Sequence, residues 1–166
     1  MRADERLWLS KSWTTREPRG SESGDEYHFV DRATFERAIE AHQFLEWAEF
    51  HGNLYGTPQP AAPNGCDLLL EIEVQGAEQV RDQRPDAEVF LILPPSMERL
   101  EERLRARGDD EKHIVDRLAS APDELERAHK LDPHVIVNDD IERATQEILS
   151  ILEELRRQRR DLSSKD

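Results

Sequence analysis

Three short apolar runs, each bounded by turn residues, constrain this chain more than anything else in it: Asp67-Leu-Leu-Leu-Glu-Ile-Glu-Val74, Ala87-Glu-Val-Phe-Leu-Ile-Leu93 and His134-Val-Ile-Val-Asn138. Near-continuous rather than alternating apolarity marks strands covered on both faces, as in a parallel sheet. Helical patterns fall between and after them. Ser96 reads as the N-cap of a helix that carries Met97, Leu100 and Leu104 on one stripe, with Gly108 as its stop. Ile141, Ala144, Ile148, Leu152 and Leu155 form the inner stripe of a C-terminal helix, and residues 156–166 read as a frayed tail. Strands alternating with helices give the α/β class. The first sixty residues differ. Thr34 to Phe44 reads as a helix, Tyr27 to Val30 and Leu45 to Tyr55 as short strands of an inserted subdomain, and Thr57 to Asn64 as a proline-rich loop.

Charge and cysteine usage narrow the class of partner. Among 166 residues, 23 Lys and Arg face 37 Asp and Glu, a formal net charge of −14. That balance argues against a nucleic-acid binder, which presents basic surface. An anionic ligand would need a local arginine cluster working against the overall field. The single Cys66 excludes a disulfide framework and a cysteine zinc site, and fits a reducing cytoplasm. The longest apolar run, Val89 to Leu93, is too short to cross a bilayer, and no signal segment opens the chain. The expectation is a soluble cytoplasmic chain of one domain, 1–166, without membrane or nucleic-acid partners.

Four constellations could carry chemistry. In Ser12-Trp-Thr-Thr-Arg16-Glu-Pro-Arg19, Pro18 holds Glu17 extended, so Arg16 and Arg19 stand apart as two guanidinium forks suited to a phosphate; a surface pair neutralising nearby carboxylates is the plainer alternative. Glu46 follows the apolar pair Phe44-Leu45, where a buried carboxylate needs a partner. Such a carboxylate can accept from both N1–H and N2–H₂ of guanine, whereas adenine presents an acceptor at N1; an exposed Glu46 on a polar strand face is the alternative. Tyr55 and Thr57 alternate across Gly56 and can face the same ligand. Glu71 and Glu73 read as sharing one face at the C-terminal end of a strand, where open parallel sheets bind ligands; they could hold a base or the water shell of Mg²⁺, or simply cap the strand. Arg99, Arg103 and Arg107 recur every fourth residue, followed by Arg117. This stripe reads as a cationic lid over phosphates or as ordinary pairing with Glu98, Glu101 and Glu102. The six histidines show no metal spacing.

Taken in order, Ser10-Lys-Ser12-Trp-Thr-Thr-Arg16-Glu-Pro-Arg19, Tyr27-His-Phe-Val, Phe44-Leu-Glu46-Trp-Ala-Glu, Gly52-Asn-Leu-Tyr55-Gly-Thr57-Pro, Leu70-Glu71-Ile-Glu-Val-Gln-Gly76, Pro94-Pro-Ser96, Arg103 to Gly108 and Ile136-Val-Asn138-Asp-Asp140 resemble the guanylate kinases, over residues 7 to 155. The resemblance implies a three-layer P-loop kinase fold with a parallel sheet. Within it would lie a mixed α/β GMP-binding subdomain (10–65) and a helical lid with its flanking helices (96–128). It implies Mg²⁺-dependent transfer of the ATP γ-phosphate to GMP, giving GDP and ADP. By resemblance, Ser12, Arg16, Arg19 and Tyr27, completed by Tyr55, grip the GMP phosphate, and Glu46, Thr57 and Glu71 read guanine. Arg103, Arg107 and Arg117 are the lid arginines, and Asn138 lies where adenine binds. The rival from another class is a non-catalytic guanylate-kinase-like module that holds GMP or a phosphorylated peptide; the three lid arginines favour the enzyme.

The chain departs from the family pattern in four ways. No G-x-x-x-x-G-K-[ST] phosphate loop occurs anywhere in it, nor the strand and helix that flank one, so an N-terminally incomplete chain is expected. Glu73 stands where the family has Asp, Gly20-Ser21-Glu22 alters the turn after Arg19, and Pro122 falls inside a helix that should therefore kink or start late. Without a central first strand, the strands at Leu68–Glu73 and Val89–Leu93 should each keep an unpaired edge or close on one another across a gap.

Overall fold

A computed structural model describes residues 4–18, 24, 27–59 and 62–163. The chain divides into two compact units, Arg2–Ala87 and Glu88–Asp166.

In the first unit, β1 (Leu7–Leu9) leads to β2 (Trp13–Thr14), β3 (His28–Phe29), α1 (Arg32–Glu40), the hairpin β4 (Phe44–Phe50) and β5 (Asn53–Pro58), then β6 (Asp67–Leu69) and α2 (Val74–Gln83). β1 and β6 pair in parallel, and the other strands form a four-stranded sheet in the order β3-β2-β5-β4. Asp31 caps α1, its carboxylate accepting from the Thr34 N–H at 2.7 Å. The helix stops at Glu40 rather than reaching Phe44, because His42 takes a left-handed φ of 52° and Phe44 opens β4. His51 and Gly52, with φ of 48° and 79°, make the two-residue turn that fits the right-handed twist of a hairpin. The predicted loop from Thr57 yields to β5, which continues through Pro58; residues 60 and 61 lie outside the described residues.

The core of this unit lies on one face of the four-stranded sheet. Phe35 and Ala38 of α1 pack on Phe44 and Leu54, with Trp13, Val30 and Ile39 around them. Phe35 and Phe44 stack at 4.5 Å, and Trp13 meets Phe44 edge-on at 5.5 Å. Gly56 is placed so that a Cβ there would meet Phe35, Phe44 and Trp47 each at 3.0 Å.

The predicted strand from Asp67 to Val74 is shorter than its apolarity suggests. β6 ends at Leu69, residues 70–73 run free of any ladder, and Glu73 is the N-cap of α2. Glu71 and Glu73 therefore do not share a strand face. The Glu73 side chain makes no capping hydrogen bond, its extra methylene being ill suited to the reach a cap requires.

The second unit contains β7 (Phe90–Leu93), α3 (Met97–Ala106), α4 (Glu111–His129), β8 (His134–Val137) and α5 (Ile141–Ser163). β7 and β8 pair in parallel from Phe90↔His134 to Leu93↔Val137. The predicted cap and stop of α3 are in place: Ser96 Oγ accepts from the Arg99 N–H at 3.3 Å, and Gly108 takes φ 85°. α4 neither starts late nor ends early; it runs through Pro122, with Ser120 Oγ donating to the Arg117 carbonyl at 3.2 Å. α5 continues past Leu155 to Ser163 in place of a frayed tail, laced by pairs such as Arg157–Glu154 and, at 3.1 Å, Gln158–Glu154. Leu104, Ile114, Ala128, Ile136 and Ala144 are the buried apolar residues of the second unit among those described. Among the described residues, β6 pairs only with β1 and β7 only with β8.

Candidate active site

Strand register sorts the site residues onto the face of the four-stranded sheet opposite α1. Glu46 stands across from Thr57, and Ala48 and Thr14 stand across from Tyr55 on either side. Facing residues share a side of the sheet, and so do residues two apart, which adds Ser12 to the set. Alternation thus gives β5 an apolar side, with Leu54 and Gly56 over the core, and a polar side carrying Tyr55 and Thr57.

The polar side holds two clusters. In the first, Glu46 is only 4% exposed and Thr57 is fully buried. Glu46 Oε1 accepts from the Thr57 N–H at 2.8 Å, and the hydroxyls of Ser12 and Thr57 are 3.3 Å apart. Burial pushes the Glu46 carboxyl above the ordinary glutamate value of 4.5, and the Thr57 hydroxyl and amide partly offset that rise. In the second cluster the Arg16 guanidinium lies 5.5 Å from the centroids of both the Tyr27 and Phe29 rings. Tyr27 meets Tyr55 edge-on at 6.2 Å. Thr14 Oγ1 accepts from the Arg16 N–H at 3.1 Å, and Arg16 Nη1 donates to the Glu17 carbonyl at 2.7 Å. Arg19 lies outside the described residues. Glu71 is exposed in the segment between β6 and α2.

In the second unit, Arg103 Nη2 donates to the Asn138 carbonyl at 2.6 Å, joining α3 to the end of β8. The Asn138 N–H in turn donates to the Leu93 carbonyl at 2.7 Å. Arg107 pairs with Asp109, its Nε donating to Oδ2 at 3.1 Å. Arg117 Nη1 contacts both carboxylate oxygens of Glu124 at 3.2 Å. Arg99 pairs with Glu102. Arg103 and Asn138 are therefore neighbours, whereas Arg107 and Arg117 each sit in an ion pair on their own segment.

Three residues to which the sequence assigns no role of their own shape this site. Thr14 is fully buried and braces Arg16. Gly76 and Gln79 of α2 both approach Glu46 or its neighbour. Only the small residue at position 76 offered a signal, and it needs the fold to be read.

Comparison with known proteins bears on which chemistry this geometry serves. The family model described as guanylate kinase matches residues 2–155. The chain belongs to the guanylate kinase family. It is 48% identical over 158 residues to the guanylate kinase of Chromobacterium violaceum, covering 92% of this chain and 75% of that one. Against the guanylate kinase of Nitratidesulfovibrio vulgaris it is 49% identical over 149 residues, covering 86% and 72%. The crystal structure of guanylate kinase from Anaplasma phagocytophilum matches with a TM-score of 0.72 at 36% identity, covering 90% of this chain and 76% of that one. The mixed α/β architecture expected from the sequence is thus that of the solved guanylate kinase. This chain spans about three quarters of the length of these relatives.

Proposed function

We propose that the chain carries the GMP-accepting site and the lid arginines of a guanylate kinase, an enzyme that transfers the γ-phosphate of ATP to GMP. One observation carries the reading above all: a buried carboxylate, Glu46, aligned by Thr57 on the polar side of the sheet. A carboxylate there accepts hydrogen bonds from the donor edge of guanine. Adenine would leave it facing an acceptor, at a cost of about 1–3 kcal/mol per unmatched group. Ser12 and Thr57 add hydroxyls beside it, and Glu71 would complete the reading of the base. Arg16 and Arg19, with the hydroxyls of Tyr27 and Tyr55, would hold the phosphate through charge-assisted hydrogen bonds and orient its oxygen for attack. The Tyr27 and Phe29 rings beside Arg16 restrict where that guanidinium can swing, which favours a preformed grip.

Arg103, Arg107 and Arg117 would neutralise charge on the transferring group, and Asn138 would meet the adenine of ATP. For Arg107 and Arg117 this requires exchanging Asp109 and Glu124 for phosphate oxygens, which breaks one pair whose Asp109 side chain is only 4% exposed and one that is partly buried. Among the described residues no group of three or more His, Cys, Asp or Glu gathers. The donor set here fits Mg²⁺ carried by nucleotide phosphates and water rather than a protein cage, and the ion when bound would offset phosphate charge. No helix among the described residues is long and apolar enough to cross a membrane.

Calorimetric titration of the chain with GMP and AMP tests the reading. GMP is expected to bind more tightly, and equal affinities would sink it. Tight binding of a phosphorylated peptide with no preference among nucleotides would favour the non-catalytic module instead.

A further inference from the structure

Helix α2 meets strand β4 through amides. Gln79 Nε2 donates to the Trp47 carbonyl at 2.8 Å while its Oε1 accepts from the Trp47 N–H at 3.3 Å. One turn later Gln83 Nε2 donates to the Leu45 carbonyl at 2.9 Å. β4 is the outer strand of its sheet, so these side chains satisfy ladder groups that no neighbouring strand reaches. The residue between the two clamped ones is Glu46. Its Oε1 is engaged by Thr57, and its Oε2 lies against the first turn of α2. There a Cβ on Gly76 would overlap Oε2 and come within 3.0 Å of Cδ. Gly76 is buried and its φ is not positive, so what the site needs from it is space rather than an unusual backbone. A first helical turn is also where the backbone dipole favours a carboxylate.

We propose that α2 is the positioning element of the guanine-reading carboxylate. Gln79 and Gln83 fix the backbone on either side of Glu46, and the bare Cα of Gly76 leaves the space in which Oε2 is held. Base selectivity at this site then depends on residues set outside the polar face of the sheet. The inference rests on Glu46 being the guanine reader. Its physical basis is geometric: one carboxylate must meet N1–H and N2–H₂ together, and hydrogen bonds weaken steeply with misalignment.

Two experiments on the 166-residue chain test it. In the first, GMP, IMP and guanosine are titrated by calorimetry against the wild-type chain and Gln79→Ala. IMP lacks the 2-amino group and so reports on the second hydrogen bond. The variant is expected to lose about tenfold of the preference for GMP over IMP, the scale of one unmatched buried group, while keeping the preference for GMP over guanosine. A folded variant with an unchanged GMP-to-IMP ratio overturns the proposal, as does a parallel loss against guanosine, which would indicate general loosening. A wild-type chain with no preference for GMP over IMP overturns the Glu46 reading itself and is seen before any variant is made.

In the second, thermal stability is measured for Gly76→Ala with Glu46 present and with Glu46→Ala. Most of the destabilisation by Gly76→Ala is expected to vanish when the Glu46 side chain is gone. Equal losses in both backgrounds would overturn the assignment of that space to the carboxylate. If Gln79→Ala does not fold, this cycle alone decides the matter.

Discussion

Glu46 is buried, yet its surroundings are built to accept its charged form only in part. Folding raises its pKa above the ordinary 4.5, so the folded chain holds that proton more tightly than the unfolded chain does. The stability this group contributes is full below the unfolded value and is lost as pH rises through the raised folded value. Glu46→Gln keeps an acceptor for the Thr57 N–H and removes the titration. The stability difference between variant and wild type is therefore expected to move in favour of the variant from about pH 4 to pH 7, as read by denaturant unfolding. A difference that does not change with pH would refute this. The same variant should lose GMP, because its amide N–H₂ faces the donor edge of guanine. Arg16 gives the complementary case. Arg16→Ala is expected to weaken GMP by about 1.5–3 kcal/mol and leave guanosine unchanged in calorimetry; equal losses would make the arginine a support for the fold instead.

Among the elements, the β4–β5 hairpin sets the site's geometry, and Gly56 sets how closely its apolar side can pack. Phe35 is fully buried and stacked on Phe44, so neither ring can retreat from an added methyl. Gly56→Ala is expected to cost about 1–3 kcal/mol in urea or thermal denaturation, and a neutral result would show that the stack yields. The same elements show what a sequence reader could and could not see. Ser96 and Gly108 carry local signals of cap and stop and stand where those signals put them, and each of the three apolar runs contains a strand. Motif order names Ser12, Thr57 and Glu46, and the fold brings them together, with Tyr55 and Thr57 on one side of β5. What failed were boundaries decided by tertiary context. The apolar residues from Leu68 to Val74 read as one strand, although the chain leaves the ladder at Leu69 and turns into α2. Of the two outcomes expected at Pro122, the late start does not occur: α4 begins at Glu111 and forms across the proline. Gln79 and Gln83 carry no signal in the sequence, because their partners are backbone groups more than thirty residues away.

At the scale of the molecule, the two-stranded sheets among the described residues, β1 with β6 and β7 with β8, are both parallel. Leu9 is 55% exposed and Ile92 46%, and Leu69, Val135 and Val137 are also exposed. Apolar side chains beside short strand edges favour association, so sedimentation is expected to show concentration-dependent self-association. The 166 residues contain no glycine-rich phosphate loop, so a coupled assay on them alone should show GDP formation well below the ~1–100 per second usual for kinases. Turnover in that range would refute this, and joining a strand, phosphate loop and helix ahead of residue 7 should restore it. The division into two units also has an optical side. Trp8, Trp13 and Trp47 all fall in Arg2–Ala87, whereas the helices of 10, 19 and 23 residues fall in Glu88–Asp166. Indole fluorescence thus reports on one unit, while most of the far-ultraviolet dichroism comes from the other. In each unit the described strands pair among themselves, so melts recorded by the two signals should separate into two midpoints.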